Sequence, residues 1–350
     1  MVRVVYGVSS EGMGHATRAV TVIQYLESQG HEVHIFTGDR VYDFLKQQFK
    51  HIHRIKGLHL SYDDNKLDYI RSTANLVKIL PKALIPTFIT LLQKFRDIKP
   101  QVIVSDYELF TSIAGKFLRI PVIGVSNISI LTKANVTRDL KTRPFVRSLA
   151  RLSDRALSFY ANKYVIPTFF FPKPKGKKVT LVDITVREIV EKQKPKRKDF
   201  ILVYHTTKSF TSLLDAIKKV PNETFKVYGF GKKRNTKNVT FYDFSDSFIT
   251  DLANCKAVIT GGGFSTLSEA IYLKKPVLCA YTDNHYEQII NAHYLWLEKF
   301  GEFTDNISPT VVKDFLLKLP LYETYLQKKK WDSGQYKKTI EKLVRQKAKS

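Results

Sequence analysis

Three glycines, several hydroxyls and a glutamate share one short stretch of this chain, Ile259-Thr-Gly-Gly-Gly-Phe-Ser-Thr-Leu-Ser-Glu-Ala270. Glycines lack the Cβ that would hold a diphosphate away from backbone N–H groups, and a helix starting just after them directs its partial positive charge at the same anion. The apolar run Ala257 to Ile259 reads as the preceding strand, and the spacing predicts a helix from about Phe264 or Ser265. Glu269 follows Ser265 by four residues, about one turn, so its carboxylate can reach a sugar hydroxyl beside that phosphate. A second buried strand is expected over Pro276 to Ala280, and His285-Tyr-Glu-Gln288 with Asn291 adds polar groups after it. A glycine-rich turn alone is ordinary strand–loop–helix architecture. The ordered set GGGxSTxxE, KPV and HxEQxxN is harder to obtain by chance, and it points to a phosphate-bearing sugar ligand.

A second glycine loop lies at the N-terminus. Val2 to Val8 reads as a buried strand, Ser9-Ser-Glu-Gly-Met-Gly-His15 as a loop, and Ala16 to Ser28 has the apolar spacing of an amphipathic helix. Gly30 is placed to end that helix, with the next strand over His31 to Phe36. A dinucleotide-binding fingerprint needs GxGxxG and an acidic residue at the end of the second strand; E-G-M-G-H-A has neither. His15 at a helix start is either functional or a residue that shapes the loop. Asp106 closes the strand-like run Val102 to Asp106, the end at which parallel sheets present functional groups. It can orient His15, act as a base itself, or cap a helix over Tyr107 to Leu118. Glu108 and Glu11 are the remaining acidic candidates near this loop.

At these residues the chain resembles the nucleotide-sugar half of GT-B glycosyltransferases, with MurG and the UDP-glycosyltransferases as the nearest likeness. The resemblance extends through the N-terminal loop and so over most of the chain. It implies an inverting transfer of a sugar from a nucleotide sugar, preferably a UDP-sugar, to an acceptor hydroxyl without a metal or other cofactor. Gly261, Gly262, Gly263, Phe264, Ser265 and Thr266 would form the phosphate loop, Glu269 would hold the ribose, and Gln288 the transferred sugar with His285 or Glu287 beside it. His205, Thr206, Thr207 and Ser209 would bring further polar groups to this pocket, Phe230 and Phe244 would lie near the base, and Gly14 would face it from the other loop. By the same resemblance, His15 lies where the acceptor hydroxyl meets the sugar. Non-hydrolysing UDP-sugar 2-epimerases share this donor half and are the alternative, as is transfer to a soluble small acceptor. Tyr62-Asp-Asp64 is a weak echo of a metal-binding DxD and reads as a turn.

These sites must be held by two α/β units. Strands are expected near 2–8, 32–37, 51–56, 101–105 and 120–125, then near 200–204, 224–229, 238–242, 257–260 and 276–280. Alternation with helices implies two doubly wound parallel sheets facing a cleft. The expected division is an acceptor-binding domain over 1–182, a basic linker over 183–198, a donor-binding domain over 199–330, and a final helix over 331–350 crossing back. The 57 Lys and Arg against 32 Asp and Glu give a net charge of +25. With no nucleic-acid-binding motif to accompany it, this charge points to an anionic membrane surface and a lipid-linked acceptor rather than to nucleic acid. Basic residues gather at Lys133, Arg138, Lys141, Arg143, Arg147, Arg151 and Arg155, and the apolar tract Ile70 to Phe95 is either an interfacial segment or a core helix. Two cysteines without a disulfide or metal spacing, and an N-terminus without a signal pattern, point to a cytoplasmic protein peripheral to the membrane. Oligomeric state is not legible.

Overall fold

The structure, a computed structural model, describes residues 1–57, 61–63, 66–68, 85–137, 140, 144–158, 160–205, 210–231, 234–243, 247–282 and 284–349. The first part contains β1 (Arg3–Val8), α1 (Met13–Ser28), β2 (Glu32–Thr37), α2 (Asp39–Lys46), β3 (Ile52–Arg54), the hairpin β4 (Ser61–Asp63) with β5 (Lys66–Asp68), and helical residues 85–98 as α3. There follow β6 (Val102–Asp106), α4 (Leu109–Phe117), β7 (Val122–Gly124), α5 (Ile130–Lys133), α6 (Pro144–Ser158), β8 (Lys163–Pro167) and β9 (Val179–Val182). After the short α7 (Glu188–Glu191) come β10 (Ile201–Tyr204), α8 (Thr211–Lys218), β11 (Phe225–Tyr228), β12 (Val239–Tyr242), α9 (Ser247–Asn254), β13 (Ala257–Thr260), α10 (Phe264–Tyr272), β14 (Val277–Ala280), α11 (Tyr286–Leu297) and β15 (Gly301–Thr304). Helices α12 (Pro309–Leu317), α13 (Leu319–Lys328) and α14 (Gly334–Lys347) end the chain.

The strands form two parallel sheets, ordered β3-β2-β1-β6-β7-β8-β9 and β12-β11-β10-β13-β14-β15. Strands β1, β6, β10 and β13 are near-continuous apolar runs because helices cover both faces of each sheet. In the first sheet the order reverses between β1 and β6, and in the second between β10 and β13. Open parallel sheets bind ligands outside the carboxyl ends of the strands at such a reversal. The registers Val8 opposite Asp106 and Tyr204 opposite Thr260 put the two strand ends side by side at each point.

Helix α1 begins at Met13 with Gly12 as its cap, three residues before the sequence-based start, so His15 lies in its first turn. Its end is a Schellman turn: Gly30, at φ +78°, donates to Glu27, and His31 donates to Leu26. The hairpin β4–β5, which puts Tyr62 and Asp63 in a strand rather than in the expected turn, and strands β8, β9 and β15 were not expected. β8 ends in proline and leads into Thr168-Phe-Phe-Phe171, which hides its boundary, whereas β9 and β15 are four-residue edge strands with little apolar alternation.

An apolar seam joins the halves: Phe169 stacks against Phe264 at 6.2 Å and Phe170 against Tyr294 at 3.8 Å between ring centres. Helix α14 buries Tyr336, Ile340 and Val344 in the core around β1 and α1, and the Tyr336 hydroxyl donates to the Val125 carbonyl at 2.6 Å. In α3, Leu91 and Phe95 are buried while Ile85 and Ile89 are exposed. The remainder of the 70–95 tract lies outside the described residues.

Candidate active site

The two reversal points face each other across the cleft. Ser265, in the first turn of α10, donates its hydroxyl to the Gly14 carbonyl at 3.4 Å, so the helix starts that follow the two glycine loops touch. A Cβ on Gly14 would come within 3.0 Å of that hydroxyl oxygen.

On the N-terminal side, His15 Nδ1 lies 2.8 Å from Asp106 Oδ1, with the imidazole 11% exposed and the carboxylate fully buried. Arg18, one turn further along α1, reaches the same carboxylate from Nε (3.1 Å to Oδ2) and from its terminal nitrogen (2.7 Å to Oδ1). That nitrogen also lies 3.0 Å from His15 Nδ1, but a guanidinium can only donate, and the carboxylate is its acceptor. The imidazole proton is therefore on Nδ1, donated to Asp106, and Nε2 remains as the basic atom. Burial alone would push the Asp106 carboxyl up; Arg18 and His15 outweigh it and hold it below the usual carboxylate range. Tyr107, with a left-handed φ of +59°, turns the chain after Asp106 and lays its ring against His15 at 6.2 Å.

Glu108, not Asp106, caps α4. Its carboxylate accepts from Phe110 N at 2.9 Å, Thr111 N at 2.7 Å and the Thr111 hydroxyl at 2.5 Å. Burial pushes the Glu108 carboxyl up, and these donors only partly offset it. Glu108 is thus consumed by the helix end and leaves the set of candidate bases. Glu11 stays on the loop, half-buried, with its carbonyl accepting from Arg40 at 3.4 Å.

On the C-terminal side, Gly261 to Gly263 span the turn from β13 to α10. A Cβ on Gly262 would meet Gln288 atoms at 2.6 Å, whereas one on Gly263 would meet nothing within 4 Å. Gln288 Oε1 accepts from Thr282 N at 2.9 Å and Gly262 N at 3.3 Å, and Asn291 donates to the Gly262 carbonyl at 3.0 Å. Gln288 therefore braces the loop as well as lying beside it. His205, buried at the end of β10, lies against Gly261. Ser265 and Thr266 are half-buried at the cleft, while the Phe264 ring is committed to the seam and leaves only backbone groups for a ligand. The Phe230 ring is likewise buried in the core of the second sheet. His285 caps the start of α11, and burial keeps its imidazole pKa low. Thr206, Thr207, Ser209 and Phe244 lie outside the described residues.

Three residues escaped the sequence reading. Arg187 holds Glu269 by a two-point pair, Nε to Oε1 at 2.7 Å and the second nitrogen to Oε2 at 3.0 Å. Arg18 also donates to Asn127 Oδ1 at 3.0 Å, and Asn127 donates to Glu287 Oε1 at 2.6 Å across the cleft. A signal existed for Arg18, a cation three residues after His15 within an otherwise apolar helix face. Asn127 and Arg187 lie in connections whose geometry periodicity does not show.

A family model described as glycosyl transferase family 1 matches residues 2–320. A protein named as an uncharacterized glycosyltransferase from Methanosarcina mazei is 24% identical over 348 residues, covering 87% of this chain and 86% of that protein. The UDP-N-acetylglucosamine--N-acetylmuramyl-(pentapeptide) pyrophosphoryl-undecaprenol N-acetylglucosamine transferase of Rickettsia conorii is 24% identical over 361 residues, covering 87% of this chain and 88% of its own length. Among solved structures, Acinetobacter baumannii MurG aligns with a TM-score of 0.63 at 14% identity, covering 98% of this chain and 99% of its own. Glycosyltransferase VinC in complex with dTDP aligns with a TM-score of 0.66 at 15% identity, covering 99% of this chain and all of its own (100%). What these structures share with the chain is the GT-B arrangement of two doubly wound sheets.

Proposed function

The chain belongs to glycosyl transferase family 1, and from that premise we propose that it is an inverting, metal-independent transferase moving a sugar from a UDP-sugar to an acceptor hydroxyl. The observation that carries the reading is the His15–Asp106 pair at 2.8 Å, with His15 in the first turn of α1 beside Gly14, which touches the first turn of α10. His15 Nε2 takes the proton from the acceptor hydroxyl as its oxygen attacks the anomeric carbon, and the bond to the leaving diphosphate breaks in the same displacement. The N–H groups of Gly263 to Ser265, at the α10 N-terminus, stabilise the charge that develops on that diphosphate, with Gly262 held behind them by Gln288. Glu269 and Arg187 hold the ribose end, and Glu287 and Gln288 the transferred sugar. The acceptor is bound by residues 1–182, the donor by 199–330, with 183–198 as the hinge and 331–350 returning to the first domain.

The acceptor in this reading is lipid-linked, and the protein is peripheral on the cytoplasmic face of the membrane. Two surfaces of the first domain support this. Phe145 and Leu152, seven residues apart on α6, are exposed next to Arg151 and Arg155. Ile85 and Ile89 on α3 are exposed too, and Phe88 on the same helix touches the exposed Phe117, beside Lys116 and Arg119. Apolar side chains flanked by cations suit an anionic interface. Among the described residues no helix is long and apolar enough to cross a membrane.

The test is turnover of a nucleotide-sugar panel with and without a membrane lipid extract, with NMR of the product anomer. Lipid-dependent release of UDP and an inverted anomer are expected. A retained anomer would overturn the single-displacement mechanism, and equal turnover on soluble acceptors alone would overturn the lipid assignment.

A further inference from the structure

Arg18 has a side chain only 5% exposed, and its full set of contacts forms a chain through the site. A buried guanidinium is costly unless its donors are used. Here they hold Asp106 Oδ1 and Oδ2 at 2.7 and 3.1 Å and Asn127 Oδ1 at 3.0 Å. Asn127 then reaches Glu287 at 2.6 Å on α11 of the other half. An amide suits this link, because a guanidinium only donates and a carboxylate only accepts, so the bridge between them needs an acceptor at one end and a donor at the other. The path from His15 through Asp106, Arg18 and Asn127 to Glu287 therefore joins the base to the helix beside the donor sugar. The other titratable groups facing it are Tyr107, stacked on His15, and Tyr6 on β1 and Tyr336 on α14, the last two buried and with pKa values raised through that burial.

We propose that Arg18 is a positioning residue: it balances the charge of Asp106 beside His15, and through Asn127 it ties the orientation of that pair to Glu287. Without the guanidinium, Asp106 would stabilise the protonated imidazole, and His15 would be occupied by a proton at pH values where it must accept one. The link through Asn127 aligns the base only when the two halves sit as they do here. The inference rests on the transferase reading for its consequence and on charge and geometry for its test.

Arg18→Met removes the charge and Arg18→Lys keeps it without the three-point fork; Asn127→Leu cuts the link to Glu287. In Arg18→Met the acid limb of the pH–rate profile and the His15 imidazole titration, followed by NMR, should both move up by about one pH unit relative to the unsubstituted protein. Arg18→Lys and Asn127→Leu should leave the limb in place and lower kcat about tenfold, with donor KM within about twofold. An unmoved imidazole titration in folded Arg18→Met, or unchanged kcat in both other variants, overturns the proposal. If Arg18→Met does not fold, the other two variants decide it. The imidazole measurement needs no substrate, so its failure is separate from that of the transferase reading, which is lost if the unsubstituted protein turns over no nucleotide sugar.

Discussion

Each sheet carries a glycine loop where its strand order reverses, and the two loops are built by different physics. The loop after β1 leads to a site made of side chains: a buried carboxylate, a buried guanidinium and an imidazole, each stable there only because the others are. The loop after β13 is made of backbone and clearance, with Gly262 fixed by Gln288 on one side and Asn291 on the other. A charge network aims a proton acceptor but fails when one partner is lost. A glycine loop presents N–H groups and fails when a Cβ is added. In the proposed transferase one half orients a base and the other cradles an anion, and the difference predicts how each can be broken.

The largest effect is expected at Asp106. Asp106→Ala leaves Arg18 as an uncompensated buried cation and should cost about 3–5 kcal/mol of stability in urea unfolding, beyond any loss of activity. A loss below about 1 kcal/mol would show that the charges are not mutually dependent. The same half holds a contrasting carboxylate. Asp154, on the buried side of α6, has a pKa pushed up to about 6 by burial, which the Thr132 hydroxyl and Lys133 only partly oppose. Its folded pKa lies above the unfolded one, so its carboxyl favours folding at low pH and that stability is lost as pH rises through about 6. The full loss is about 3 kcal/mol, of which about 1.4 kcal/mol falls between pH 5 and pH 8; that difference should disappear in Asp154→Asn when urea unfolding at the two pH values is compared.

Effects on the donor side should be smaller and fall mainly on ligand affinity. Glu269→Ala removes the proposed charge-assisted bond to the ribose and should weaken UDP-sugar binding by about 1.5–3 kcal/mol in calorimetry; it also takes the carboxylate away from the partly exposed Arg187, so a loss of stability smaller than that of Asp106→Ala accompanies it. Gly262→Ala should weaken it about tenfold, because the new methyl sits against Gln288 and the loop must shift; this corresponds to about 1.4 kcal/mol. Gly263→Ala, with open space at its Cβ, should bind as before. Equal losses in the two glycine variants would mean that flexibility, not clearance, is what the loop needs.

Much of this was legible in the sequence where the physics is local. The apolar runs of β1, β6, β10 and β13, the Gly30 turn and the start of α10 at Phe264 follow from periodicity and glycine placement. The short edge strands β9 and β15 do not, because they gain their order from a neighbour rather than from their own pattern. His15 and Asp106 could be named as candidates, but whether Asp106 caps α4 or faces His15 depends on two residues of register. Tyr107 in the left-handed region moves the cap to Glu108 and frees Asp106 for the cleft. Arg18, Asn127 and Arg187 were not proposed as site residues, since their partners lie 109, 160 or 82 positions away in the chain.

The comparison of the two loops comes down to one separation of function, and His15→Ala measures it. Steady-state kcat and the donor Kd would be determined for the same folded variant. Loss of the base should lower kcat by about 10²–10⁴ and leave the donor Kd unchanged, since donor binding belongs to the other half. A near-normal kcat, or a donor affinity that falls along with it, would contradict the division of labour between the two glycine loops.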